Sequence, residues 1–248
     1  MRLDNTNIIV TGASQGIGKA IALKSAFYGA DLCIVGRHSD TLKVTQGEIE
    51  KLGRKCVAIT ADVTDFESVT SMVKQAQETL GQINVLVNNV GWDATEQFWK
   101  NSLEFWDKII EINYKSVLYC SRAVLDSMIE NNSGKIINIA SDAGRVGSSG
   151  ESAYAGAKGG VIAFTKSLAR EVARYQINVN CICPGPTNTP LNQGQPEKIR
   201  MAIERVIPFK RIAEPDDIAG PVVFFASSLS DYITGQVLSV SGGLTMQG

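Results

Sequence analysis

The sequence is nearly without histidine: among 248 residues, His38 is the single imidazole. No standard His/Cys metal cluster can be assembled around one histidine, and the one close cysteine pair, Cys181-x-Cys183, has neither zinc nor redox spacing, so no metal is expected. His38 itself, between Arg37 and Ser39 at the end of a predicted strand, reads as an exposed loop residue rather than a catalytic base. An excess of charge is missing too. With 24 basic against 25 acidic side chains, the formal net charge of −1 gives no drive toward phosphate backbones or anionic lipid, which excludes nucleic acid and the membrane surface as expected partners. No apolar run approaches the about 18 residues of a spanning helix. The N-terminus, Met1 to Asn5, leads straight into a strand without a signal-peptide core, so a soluble cytoplasmic protein is expected. The 5 cysteines are odd in number and lie mostly in apolar strand-like runs, which points to reduced core thiols.

What is present is apolar and periodic. At 44% apolar and 20% charged, residues 1–248 suffice for one core and are expected to form a single domain. Asn7–Thr11, Asp31–Gly36, Cys56–Thr60, Ile83–Asn88, Lys135–Ala140, Asn178–Cys183 and Val237–Val240 are apolar on both faces and predict buried strands. Between them, Gly16–Tyr28, Thr41–Leu52, Phe66–Leu80, Leu103–Glu130, Ala153–Tyr175 and Asp216–Ala226 carry apolar residues at helical spacing. This alternation predicts an α/β fold: a doubly wound parallel sheet of about seven strands with helices on both faces, and ligands outside the carboxyl ends of the strands. One long proline-rich irregular stretch, from Pro184 to about Ile212, is the expected substrate lid, taken as about residues 187–212.

The first strand delivers Thr11-Gly12-Ala13-Ser14-Gln15-Gly16-Ile17-Gly18 into a helix. Glycines here let the backbone turn tightly and approach a pyrophosphate held by free N–H groups of the helix N-terminus, although a strand-to-helix turn also needs glycine for steric reasons. A second constellation is Ser141, with Tyr154 thirteen positions on and Lys158 one helical turn after that. An ammonium beside the phenol favours phenolate, and bringing a tyrosine from its usual pKa of about 10 to near 7 takes about 4 kcal/mol, which a lysine plus a bound nicotinamide's charge can supply. The alternative is a Tyr/Lys pair exposed on a helix surface. Small neighbours, Ala155-Gly156-Ala157 and Gly159-Gly160, let a flat ring approach the helix.

Together, Thr11 to Gly18, Asp62-Val63, Asn88-Asn89-Val90-Gly91, Asn113, Ser141, Tyr154-x-x-x-Lys158 and Pro184-Gly185-Pro186-Thr187 resemble the short-chain dehydrogenase/reductase family over essentially the whole chain. The resemblance implies a Rossmann-type sheet, a nicotinamide dinucleotide and hydride transfer at a carbonyl carbon. It further implies Tyr154 as the acid/base, Lys158 as the group that lowers its pKa and holds the ribose, Ser141 as the hydroxyl steadying the substrate oxygen, and Asn113 as the residue ordering a relay water. On its terms Gly12, Ser14, Gln15, Gly16, Ile17 and Gly18 cradle the pyrophosphate, and Asp62 and Val63 meet the adenine. Asn88 meets the adenosine ribose region, and Pro184, Gly185, Thr187 and Thr189 the nicotinamide. Asparagine inside the predicted helix from Leu103 leads us to expect a kink at Asn113.

Which dinucleotide is bound depends on the end of the second strand. An acidic residue there would bind the ribose diol, and Gly36-Arg37 stands in its place, so local chemistry favours NADP. A closer resemblance pulls the other way. Asn138 to Glu151 and Cys183 to Pro190 are similar to the branch that oxidises β-hydroxyacyl-CoA thioesters in anaerobic degradation of aromatic and alicyclic acids, acting on 2-hydroxycyclohexanecarboxyl-CoA or 2-[hydroxy(phenyl)methyl]succinyl-CoA. This implies NAD, with NADP as the alternative, and an acyl-CoA thioester as substrate. Arg145 is then a candidate for a substrate carboxylate or CoA phosphate, or else a cap of its loop. Trp92, Phe98, Trp99 and Trp106 are candidates for a ring-binding pocket, or else core or interface. The family resemblance also implies a homotetramer or a hetero-oligomer with a sister subunit. Two further readings are a 3-oxoacyl-(acyl carrier protein) reductase and a non-catalytic partner subunit.

Overall fold

The computed structural model describes residues 1–190 and 197–246. Residues 191–196 of the expected lid lie outside the described residues. The strands are β1 (Asn7–Thr11), β2 (Asp31–Gly36), β3 (Cys56–Thr60), β4 (Val85–Asn88), β5 (Gly134–Ile139), β6 (Ile177–Pro184) and β7 (Val237–Val240). All pair in parallel, in the order β3-β2-β1-β4-β5-β6-β7. The order reverses between β1 and β4, where Val10 pairs with Ile34 on one side and Val87 on the other. This switch point opens a crevice at the carboxyl ends of the two strands.

The helices are α1 (Gly16–Phe27), α2 (Ser39–Lys51), α3 (Phe66–Leu80), α4 (Leu103–Ile110), α5 (Ser116–Glu130), α6 (Ala143–Val146), α7 (Ser152–Val172), α8 (Glu197–Val206) and α9 (Pro215–Ala226). Successive strand residues feed opposite layers, as the pleat requires. Ile8, Val10, Leu32 and Ile34 face α1 and α9 residues such as Ile21, Ala22, Ile218 and Val222. Ile9, Cys33, Val35 and Leu86 face Val69, Met72, Cys120, Val124 and Leu168 of α3, α5 and α7. The cysteines are free, and burial pushes the Cys56 and Cys120 thiols up to about 12, as inert core thiols require. His38 is exposed just before α2.

The predicted elements shift by two residues or fewer at most ends. The kink expected at Asn113 takes the form of a π-helical turn, Glu111–Lys115, which divides the predicted helix Leu103–Glu130 into α4 and α5. No helix of the described residues is long and apolar enough to cross a membrane, and they contain no group of side chains fit to hold a metal ion.

Candidate active site

From β1 the chain turns through Gly12 (φ +67°) and Gly16 (φ +56°), a left-handed conformation that favours glycine. Gly18 is needed for space: a Cβ there would stand 2.2 Å from the Gly12 carbonyl oxygen. Gln15, the N-cap of α1, makes no side-chain capping bond, and no acidic residue occupies the first turn, so its free N–H groups face the loop. Asn89 braces this loop, its Nδ2 donating to the Thr11 and Gly12 carbonyls at 3.0 and 3.3 Å. Thr11 Oγ1 in turn accepts the N–H groups of Asn89 and Val90 at 3.0 and 3.3 Å. Thr189 and Pro190 stand over Gly16, within 3.6 Å of where its Cβ would be.

At the other end of the groove, a Cβ on Gly36 would come 2.5 Å from Ser14 Oγ, so a larger residue there would require the serine side chain to turn away. Arg37 is exposed. Asp62 accepts the Thr64 N–H (2.9 Å) and hydroxyl (2.7 Å); these bonds hold its carboxyl below the usual range, with a smaller pull from Arg37. The side chains of two expected cofactor contacts point elsewhere. Val63 is buried in the core with Ile59 and Val69. Asn88 is turned inward, donating to Ser121 Oγ (3.1 Å) and Asn138 Oδ1 (2.9 Å). Contact with a dinucleotide from these two positions falls to the backbone.

The chemical centre lies where β5, α7 and the π turn meet. Ser141 follows β5, its Oγ accepting the Ala143 N–H (3.1 Å) and lying close enough to the Tyr154 phenol to pull its pKa down. One turn along α7, Lys158 is buried and donates to the Ile139 carbonyl at 3.0 Å, with Nζ 5.7 Å from the Tyr154 ring centre. Gly91 lets the π turn close on them: a Cβ there would be 3.1 Å from Asn113 Oδ1 and 3.3 Å from Lys158 Nζ. Asn113 grips Trp92, accepting its N–H (3.1 Å) and donating to its carbonyl (2.7 Å) and to that of Ile109 (3.0 Å). One lone pair of its carbonyl remains for the expected water.

The surroundings of Tyr154 act on its phenol in opposite directions. Burial pushes the phenol up and outweighs Ser141, which pulls it down, while Asp93, Glu151 and Cys183 add to the rise. Burial also lowers Lys158 to about 8. Both shifts run against the phenolate, and positive charge brought into the groove would favour it.

Burial raises the Asp93 carboxyl to about 6, and the nearby Glu151 carboxyl adds to the rise. The loop holding Asp93 is tied to the start of α7 by the Glu96 N–H, which donates to the Gly150 carbonyl at 2.9 Å. The aromatics are not part of the buried core. Trp99 is 77% exposed, Phe98 stacks on Trp106 at 4.9 Å, and Trp92 lies between Phe105 (5.8 Å) and Lys108 Nζ (3.7 Å from the ring centre). Arg145 pairs with Asp142 at 3.2 Å, both side chains largely buried. Among the described residues, Asn89, Asp93, Asp142 and Glu151 were not singled out from the sequence. The Asn88-Asn89 doublet was a signal for the first, whereas the other three become visible only when distant loops meet.

The sequence pattern of the family described as enoyl-(acyl carrier protein) reductase matches residues 12–245. The chain is 37% identical over 246 residues to (2S)-[(R)-hydroxy(phenyl)methyl]succinyl-CoA dehydrogenase subunit BbsD of Thauera aromatica, covering 99% of each. The chain belongs to the short-chain dehydrogenase/reductase family. Among other relatives, the 3-oxoacyl-[acyl-carrier-protein] reductase FabG of Thermotoga maritima is 36% identical, over 99% of this chain and 100% of its own. A solved structure from Sinorhizobium meliloti, assigned to the short-chain alcohol dehydrogenases, superposes with a TM-score of 0.95 at 35% identity, covering 98% of this chain and 97% of that one.

Membership makes the protein an NAD(P)-dependent oxidoreductase, and the groove fits the dinucleotide. The turn at Gly12, Gly16 and Gly18 leaves backbone where side chains would block a pyrophosphate, and α1 offers uncapped N–H groups to its charge.

Proposed function

We propose that the chain oxidises the secondary alcohol of a cyclic or aryl-substituted β-hydroxyacyl-CoA, such as 2-hydroxycyclohexanecarboxyl-CoA or 2-[hydroxy(phenyl)methyl]succinyl-CoA, in the degradation of aromatic or alicyclic compounds. The observation that carries the chemistry is the grouping of Ser141 and Tyr154 with buried Lys158, whose Nζ lies 5.7 Å from the Tyr154 ring centre. The thioester and its ring are supported by the likeness to the Thauera dehydrogenase along the whole chain. A bound oxidised nicotinamide dinucleotide supplies the hydride acceptor and a positive charge. Tyr154 takes the hydroxyl proton, Ser141 holds the same oxygen, and Lys158 holds the ribose and favours the phenolate. Asn113 keeps the Trp92 backbone and a relay water in place beside Lys158.

NAD is the proposed cofactor. Asp62, close enough to Arg37 to feel its charge, opposes a 2′-phosphate at that end of the groove. The second reading, reduction of a 3-oxoacyl group on acyl carrier protein with NADPH, is favoured by exposed Arg37 and by the Thermotoga relative. The chain is proposed to work as a homotetramer or with a sister subunit, and the Ser141, Tyr154 and Lys158 set argues against a purely non-catalytic role.

The test is NAD and NADP reduction by the purified protein with ring-bearing and straight-chain β-hydroxyacyl-CoA thioesters. Preference for ring-bearing thioesters with NAD is expected; activity confined to the straight chain, or to NADP, moves the assignment to 3-oxoacyl reduction. Tyr154→Phe is expected to lower kcat by about 10²-fold or more while dinucleotide binding persists. Unchanged activity of the variant would place the chemistry elsewhere.

A further inference from the structure

Asp142, the residue after Ser141, is 5% exposed and takes no part in the chemistry derived above. Its carboxylate accepts three donors from two separate parts of the chain: Arg145 Nη1 of α6 (3.2 Å), Ser239 Oγ of β7 (2.7 Å) and the Thr245 hydroxyl near the C-terminus. Its N–H donates to the Pro184 carbonyl of β6 at 3.0 Å. The proton count is consistent. With the Ser239 and Thr245 hydroxyl protons directed at Asp142, Ser241 Oγ, 3.0 Å from Ser239 and 3.3 Å from Thr245, is left to donate to one of them and accepts the Thr245 N–H.

This cluster has a mechanical path to the reacting atoms. Ser141, joined to Asp142 by one peptide bond, accepts the Ala143 N–H on Oγ and the Gly144 N–H (3.0 Å) on its carbonyl, so its side chain moves with α6. On its other side α6 abuts α7 without slack: a Cβ on Gly144 would be 2.7 Å from both the Lys158 carbonyl carbon and the Gly159 nitrogen. A shift of Asp142 therefore reaches Ser141 directly and Lys158 through backbone contact.

We propose that Asp142 is a positioning residue for the reaction and that the C-terminal segment, through Thr245 and Ser239, is part of the scaffold holding Ser141 beside Tyr154. The proposal rests on Ser141, Tyr154 and Lys158 being the catalytic set, and Tyr154→Phe tests that separately. A carboxylate accepts all three donors, whereas an amide oxygen in Asp142→Asn has fewer lone pairs and brings an N–H₂ that faces other donors. A displacement of tenths of an ångström at Ser141 weakens its pull on the Tyr154 phenol, and small misplacements carry large rate costs.

The experiment compares Thr245→Val, which keeps the shape and removes the donor, with Thr245→Ser, which restores it. Thr245→Val is expected to lower kcat about tenfold, with the dinucleotide Kd and the substrate KM within about twofold of the parent. With the pull of Ser141 on the phenol weakened and Asp93, Glu151 and Cys183 untouched, the acidic limb of the kcat profile for oxidation moves to higher pH. Thr245→Ser is expected to recover both. Parental kcat in Thr245→Val, a loss with no movement of the limb, or a loss that serine does not repair would each overturn the proposal. Should Thr245→Val fail to fold, Ser239→Ala removes one donor and is read by the same kcat and pH criteria. If Tyr154→Phe retains activity, the catalytic reading has failed rather than the scaffold alone.

Discussion

Tyr154 sits in a field that works against its role, and the groups responsible make sharp predictions. Asp93 and Glu151 raise the phenol's pKa, so replacing Asp93 by asparagine should lower it and move the acidic limb of the oxidation rate to lower pH, measured as kcat against pH. Movement in the opposite direction, or none, would mean that these carboxylates do not act on Tyr154. The same substitution has a sign in stability. The Asp93 carboxyl is raised to about 6 in the folded chain, so the native state binds its proton more tightly than the unfolded state. Its contribution is then present below the unfolded pKa of about 4 and lost as pH rises toward 6. Urea unfolding across that window should show a shallower decline for Asp93→Asn. Ser141, Tyr154, Lys158 and Arg37 were legible in the sequence because their chemistry is local to a strand end or one helical turn. Asp142 was passed over because its meaning lies in Ser239 and Thr245, about a hundred residues away.

Elements explain which glycines are required. The loop from β1 to α1 was readable as a strand–turn–helix, and Gly18 is the position where the helix touches the turn. Gly18→Ala would drive a methyl to 2.2 Å from the Gly12 carbonyl, forcing the loop away from its Asn89 brace. We expect at least a tenfold weaker dinucleotide Kd, by fluorescence titration, and a stability loss of about 1–3 kcal/mol. Gly156, with nothing within 4 Å of its would-be Cβ, should tolerate alanine. The π turn shows where the period of a sequence falls short: the apolar spacing of Leu103–Glu130 continues through it, and only the asparagine hinted at the extra residue. The π turn places Asn113 where it reaches back to the Trp92 carbonyl.

At the scale of the molecule, the sheet ends in β7, whose Leu238 is 40% exposed, with Leu229 (62%), Tyr232 (105%) and Phe209 (72%) elsewhere on the surface. So much apolar area on an otherwise well-buried chain is expected to be covered by association. The thermal midpoint should then rise with protein concentration, and light scattering should give a mass above that of one chain; a constant midpoint and a monomer mass would refute it. The near-balance of charge predicts no salt-dependent binding to nucleic acid.

The sequence by itself determined the layered fold, the glycine turn and the spacing of tyrosine and lysine, because hydrophobic period, backbone sterics and one turn of helix act over a few residues. It also showed the aromatics after β4, but not that Trp99 would be exposed while Trp92 is held between Phe105 and Lys108. The tertiary structure decided that Val63 and Asn88 turn their side chains into the core, that Arg145 is held by Asp142, and that burial raises Tyr154. Each of those depends on what the folded chain brings alongside a residue, and no local pattern encodes desolvation or a partner a hundred positions away.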